Sequence, residues 1–176
     1  QAFRRDGHIL LRGVCSAEEA AAYRPIISEA VERLKRDYKP MAERSTYDKA
    51  FIQVGNLWEE DQAVRRFVLA ERFASIAARL MGVSGVRLYH DQALYKEGGG
   101  GFTPWHQDQF YWPLDTDKTI TMWMPLVDAD PQMGTMEFAS GSHADGYLKP
   151  VGISDESEDY FDRMVAERGL TINGND

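Results

Sequence analysis

The spacing of apolar residues changes at Val83, and that change restricts the possible folds more than any other feature of the chain. Before it, apolar positions recur at helical intervals. "AEEAAAYRPIISEAVERLKRDY" reads as a helix that opens on a capping box of Ser16 and Glu19 and is interrupted or kinked near Pro25. "EEDQAVRRFVLAERFASIAARLMG" reads as a second packing helix, carrying Val64, Phe67, Val68, Ala74, Ile76, Ala77 and Leu80 and stopping at Gly82. After Val83 the apolar runs become short, β-branched or aromatic, and are punctuated by Gly, Pro and Asp: "GVRLYHDQALYKE", "TPWHQDQFYW", "TITMWMPLVDAD" and "GTMEFASGSH". Helices first and antiparallel strands later predict an α+β domain with a mainly β core, its helices packed on a sandwich or jelly roll.

Shorter segments complete the outline. Ile9 to Leu11, between Gly7 and Gly13, suits a short strand, and "FIQVGNLW" suits a strand edge or an extended loop. "DESEDYFDRMVAERG" reads as a short helix inserted in a loop, with Asp155 as its cap and Gly169 at its end. A length of 176 residues fits one domain, residues 1–176. The last residues, "TINGND", read as the beginning of a turn or loop, so the domain is expected to continue past Asp176.

Composition narrows the function classes. The formal charge is −8, and the basic residues are scattered among acidic ones, which argues against a nucleic-acid surface. No apolar run approaches the roughly 20 residues of a membrane span, and the N-terminus lacks a charged-then-apolar signal pattern. Cys15 is the single cysteine, so an internal disulfide and a multi-cysteine zinc site are both excluded. These features fit a cytoplasmic protein acting on a small molecule; the sequence does not disclose an oligomeric state.

The chemistry concentrates in "TPWHQDQFYW", residues 103–112. If Trp105 to Gln109 is extended, His106 and Asp108 share one face and Trp105, Gln107 and Gln109 the other. One imidazole nitrogen and one carboxylate oxygen at that spacing can converge on an ion, supplying two members of a 2-His-1-carboxylate triad for non-haem Fe(II). The same pair also occurs as two ordinary surface polar residues. Four glycines upstream and the surrounding aromatics fit a pocket wall better than open solvent.

The longer stretch "HDQALYKEGGGGFTPWHQDQFYWPLDTDKTITMWMPLVDADPQMGTMEFASGSH", from His90 to His143, resembles the phytanoyl-CoA dioxygenase family of Fe(II)- and 2-oxoglutarate-dependent oxygenases. The resemblance implies a double-stranded β-helix, a cupin-like jelly-roll barrel with N-terminal packing helices. It implies His106 and Asp108 as metal ligands, and Gln92 and Trp123 as contacts to 2-oxoglutarate, with Trp123 on the strand after the ligand pair. Lys96 and Gln53 are expected to face the same region. His143 is expected in a structural turn and His90 to pack or hydrogen-bond near the barrel mouth, with His8 structural. The third iron ligand and the arginine for the far carboxylate of 2-oxoglutarate would then follow Asp176.

The activity so implied uses Fe(II), 2-oxoglutarate and O2 to hydroxylate or otherwise oxidise a C–H bond of a small organic substrate, releasing succinate and CO2. A carboxylate at Asp108, where related halogenases carry a small residue, implies hydroxylation or a related oxidation. Two other readings stand beside it: a non-catalytic jelly-roll binding module derived from the same family, and a metal-dependent cupin enzyme that does not use 2-oxoglutarate.

Overall fold

The structure is a computed structural model describing residues 2–174. Seven α-helices and four short strands are found among the described residues: α1 (Ala2–Asp6), α2 (Ala17–Leu34), α3 (Thr46–Ala50), β1 (Ile52–Gly55), α4 (Leu57–Glu60), α5 (Gln62–Val68), α6 (Glu71–Met81), β2 (Gln92–Tyr95), β3 (Glu137–Ala139), α7 (Asp155–Arg168) and β4 (Ile172–Gly174). No helix among them is long and apolar enough to cross a membrane. Contacts divide the chain into two compact units. The first comprises residues 1–11, 102–119 and 129–176, and the second residues 12–101 and 120–128.

The second unit is built around helix faces. Ser16 caps α2 by accepting from Glu19 N–H at 3.1 Å, and the helix runs through Pro25 without interruption. The expected break is absent because a proline costs a helix one hydrogen bond and a local clash, which packing of the face around it outweighs. That face is Ile27, Ala30 and Val31, at i, i+3 and i+4, buried against Val54 of β1, Leu57 of α4, Val64 and Phe67 of α5, and Phe73 of α6. Phe67 is packed by Tyr23 at 4.5 Å and by Phe73 at 5.5 Å between ring centroids. Each such side chain, fully buried, stabilises the fold by about 1.5–3 kcal/mol.

The stretch expected as one helix over residues 59–82 is instead three. Asp61 divides it: its Oδ1 accepts from Ala63 N–H at 2.8 Å and Val64 N–H at 3.1 Å, so its own backbone stays extended and a new helix starts there. Ala70, also extended, makes the second break. Gly82 ends α6 as anticipated, in the left-handed region at φ 70°.

In the same unit β1 and β2 pair antiparallel, with Ile52 opposite Tyr95, Gln53 opposite Leu94, Val54 opposite Ala93 and Gly55 opposite Gln92. Ile52, Val54, Ala93 and Tyr95 turn to the core, leaving Gln53, Gln92 and Leu94 on the other face.

In the first unit β3 and β4 form the other antiparallel pair, Phe138 opposite Asn173. His8 stacks on Phe138 at 4.7 Å and its Nε2 lies 2.7 Å from Ser140 Oγ, the structural role expected of it. α7 buries Ser157, Phe161 and Val165. Its N-cap is Ser154, not Asp155: Ser154 Oγ accepts from Ser157 N–H, and Ser157 Oγ accepts from Ser154 N–H at 3.0 Å, a reciprocal pair that an aspartate one residue later cannot make.

The mainly β core and the closed barrel expected from the sequence are not found among the described residues, whose strands form two two-stranded sheets. Residues 9–11, 103–107 and 119–125 have no ladder partner there. A strand needs a neighbouring backbone for its N–H and C=O groups, and Pro104 and Pro125 remove one donor each from two of these stretches. Trp123, expected on a strand, therefore lies in irregular backbone and is half-buried.

Candidate functional site

The residues singled out from the sequence fall into two groups, one in each unit. His106 and Asp108 belong to the first. Their segment is not extended throughout: Gln107 is extended, at φ −115° and ψ 125°, and Asp108 begins a 3-10 turn, Asp108–Tyr111. The turn does not separate the pair. His106 Nε2 and Asp108 Oδ1 lie 3.4 Å apart, with the imidazole largely covered and the carboxylate nearer solvent.

The protonation of the ring follows from its other nitrogen. His106 Nδ1 lies 2.8 Å from Pro104 O, and a carbonyl can only accept, so Nδ1 carries the hydrogen. In the neutral ring Nε2 is then a lone pair aimed at a carboxylate oxygen. Two acceptors at that distance require a proton or a cation between them. Burial is the largest influence on the ring and favours its neutral form, but the Asp108 carboxylate and the Pro104 carbonyl together outweigh it and raise the His106 pKa above the ordinary histidine value.

The same arrangement fits a metal. A ligating histidine typically donates its second ring nitrogen to a carbonyl or carboxylate, which fixes the tautomer that leaves the other nitrogen free. Neighbouring donors each about 2.1 Å from one octahedral ion lie about 3 Å apart, close to the observed separation. The pair stands by itself in this respect: no group of three or more His, Cys, Asp or Glu able to hold a metal is found among the described residues.

The neighbouring side chains of Gln107 and Gln109 are bonded into the first unit. Gln107 Nε2 donates to Gly146 O and its Oε1 accepts from Leu148 N–H, both at 2.9 Å. Gln109 Oε1 accepts from Thr119 Oγ1 at 3.2 Å. The backbone N–H of Trp105 donates to the Glu158 carboxylate at 2.7 Å. No local pattern marks Gln107 for these bonds, and nothing in the spacing points to Glu158, 53 residues from Trp105. His143 lies in a short 3-10 turn, Ser142–Asp145, as anticipated.

The other group lies on the face of β1–β2 turned from the core. Gln53 Nε2 donates to Gln92 Oε1, and Gln92 Nε2 donates to His90 Nε2 at 2.6 Å. Tyr47 OH donates to Gln53 Oε1 at 3.1 Å, and Tyr38 OH bridges the backbone of Gln53. Gln53, Gln92 and His90 are thus joined in one polar chain. Lys96 is engaged elsewhere: its Nζ donates to Ala50 O at 3.2 Å and Gly101 O at 3.1 Å, and burial lowers its pKa. The second bond holds the end of the glycine run, where Gly100 N–H donates to Glu97 O at 3.0 Å in a turn. Trp123 makes no part of the chain of hydrogen bonds just described.

Comparison with known proteins now gives the class. Residues 3–168 match the phytanoyl-CoA dioxygenase (PhyH) family, and the chain belongs to that family. An ectoine dioxygenase from Stutzerimonas stutzeri (strain A1501) is 24% identical over 179 residues, covering 97% of this chain and 57% of the relative. The chain therefore spans little more than half the length of that curated relative. Among solved structures it is similar to SnoK, a non-heme alpha ketoglutarate dependent carbocyclase from nogalamycin biosynthesis, with a TM-score of 0.73, 22% identity, and coverage of 98% of this chain and 67% of the other. At that identity the likeness concerns the fold.

Proposed function

We propose that this protein is an Fe(II)- and 2-oxoglutarate-dependent dioxygenase that oxidises a C–H bond of a small organic substrate, with residues 1–176 belonging to one oxygenase domain of double-stranded β-helix type. One observation carries the reading: His106 Nε2 faces Asp108 Oδ1 at 3.4 Å while Nδ1–H is held by Pro104 O, so that the two acceptors converge on one position that a metal ion can take in place of a proton. Family membership supports it independently.

His106 and Asp108 hold the metal in this reading, the imidazole through a lone pair kept available by the Pro104 carbonyl and the carboxylate through its charge. Bound there, Fe(II) with 2-oxoglutarate and O2 supplies the oxidising power for C–H hydroxylation, with succinate and CO2 as co-products. Gln92, Gln53, Lys96 and Trp123 are assigned to the cosubstrate. Gln53 and Gln92 orient one another through their amides, with Tyr47 fixing the first and His90 the second.

The net charge of −8 disfavours a general attraction to an anionic CoA ester and favours a less charged small molecule. The names of the relatives, an ectoine dioxygenase and a carbocyclase of natural-product biosynthesis, point the same way.

The test is succinate formation from 2-oxoglutarate by the full-length protein with Fe(II) and O2 across a panel of small organic compounds. Succinate that requires Fe(II), rises with one compound and disappears in Asp108→Ala supports the proposal. Metal-dependent oxidation without 2-oxoglutarate would move it to the cupin class, and ligand binding without any oxidation to the non-catalytic module.

A further inference from the structure

We infer that Gln107 and Glu158 are positioning residues for the His106–Asp108 pair, setting its metal-binding geometry through the backbone that flanks it; the inference rests on the metal reading proposed above. The two candidate ligands flank Gln107, and its side-chain amide is used at both ends, donating to Gly146 O and accepting from Leu148 N–H. An amide satisfied twice by one stretch of backbone has its orientation fixed, and the backbone at 107 is fixed with it. Glu158, one turn into α7, accepts from the N–H of Trp105, immediately before His106.

A third tie lies just after the pair. Tyr111 OH accepts from Ile153 N–H at 2.7 Å, at the end of the turn that Asp108 begins. Gly152 lies beneath it, where a Cβ would meet Tyr111 Oη at 3.2 Å and a Phe110 ring carbon at 3.4 Å. Residues 105, 107 and 111 are therefore all bonded to the stretch from Gly146 to Glu158.

Removing the hydrogen-bond partners of ligating side chains commonly changes metal affinity by about 10–100-fold, and Gln107 and Glu158, which act one step away through the flanking backbone, are expected at the lower end of that range. Gln107→Met keeps the length of the side chain and loses both bonds; Glu158→Leu loses the acceptor; Glu158→Gln keeps one. The measurement is Mn(II) affinity of the full-length protein by electron paramagnetic resonance, on variants shown to be folded by circular dichroism. Metal-free samples are followed in parallel by NMR for the Nδ1-protonated tautomer of His106.

Expected for Gln107→Met and Glu158→Leu is binding about tenfold or more weaker than wild type, with a reduced population of that tautomer, and for Glu158→Gln affinity within about twofold. Folded Gln107→Met and Glu158→Leu proteins that bind Mn(II) as wild type does, with only their melting temperatures lowered, would overturn the inference. They would show that these side chains hold the fold alone. Should Gln107→Met fail to fold, the two Glu158 variants decide by the same criterion. Wild-type protein whose Mn(II) binding is unchanged by His106→Ala would instead overturn the metal reading itself, a result distinguishable from the others.

Discussion

Gly100 lies against the backbone of Lys49 so closely that a Cβ built on it would stand 2.6 Å from Lys49 O and 3.0 Å from Glu97 O. Neither obstacle is a flexible side-chain end. The adjacent N–H of Gly101 donates to the same Lys49 carbonyl at 3.2 Å, and Lys96 Nζ holds Gly101 O, so the turn cannot move aside without breaking bonds. Gly98, two residues earlier, would meet nothing within 4 Å. Gly100→Ala should lower stability by about 1–3 kcal/mol by overpacking. Gly98→Ala should leave it unchanged or raise it by up to about 1 kcal/mol through a less flexible unfolded chain. Denaturant midpoints for the two variants check the contrast, and equal effects would count against the packing of this turn.

Pro25 offers a test of the helix that runs through it. It is exposed within α2 and lacks the N–H that would complete the helical ladder. Pro25→Ala should raise stability by about 1–3 kcal/mol, since proline is the least favourable residue in a helix interior. A loss of stability on chemical denaturation would mean that the helix is broken there after all.

Asp91 sets a pH dependence whose sign can be worked out. Burial raises its pKa, against the pull of Trp58 N–H, which donates to Oδ1 at 3.3 Å. A carboxyl with a folded pKa above its unfolded value contributes stability that is fully present below the unfolded pKa of about 3.9 and lost as pH rises through the folded pKa. Asp91→Asn keeps an acceptor for Trp58 and removes the titration. Its stability relative to wild type should therefore improve as pH rises from about 4 to 7 in urea melts. A constant difference over that range would remove Asp91 as the source.

The Gln53–Gln92 pair separates cosubstrate binding from metal binding. Gln92→Leu removes the partner of Gln53 and of His90 on the exposed face of β1–β2 without touching the core side. If the pair serves 2-oxoglutarate, the concentration needed for half-maximal succinate formation should rise about tenfold, the equivalent of about 1.4 kcal/mol, while Mn(II) affinity stays within about twofold. An unchanged requirement for 2-oxoglutarate would take Gln92 out of the cosubstrate site.

Local signals in the sequence were read well where one residue decides one feature. Ser16 as a cap, Gly82 as a stop and a strand within "GVRLYHDQALYKE" each depend on their own backbone or immediate neighbours, and each is seen in the structure. The division of residues 59–82 was missed because Asp61 competes for backbone N–H groups inside an apolar pattern that a single helix would also satisfy. Strands after Val83 were overread, since alternation states which face a residue would take but not whether a partner backbone lies alongside. At the site, the i, i+2 spacing of His106 and Asp108 was legible, whereas the Pro104 carbonyl, the Gln107 amide and Glu158 were not. Their roles depend on the turn at Asp108 and on where α7 lies within its unit, and no short-range pattern encodes either.

The convergence of His106 Nε2 and Asp108 Oδ1 on one cation is tested most directly by anaerobic titration of the full-length protein with Fe(II) and 2-oxoglutarate, following the weak visible charge-transfer absorption of the ternary complex. Wild type should develop the band at one iron per chain, and His106→Ala and Asp108→Ala, shown to be folded, should each lose it. A band of wild-type intensity in either variant would contradict the assignment of these two residues to the metal.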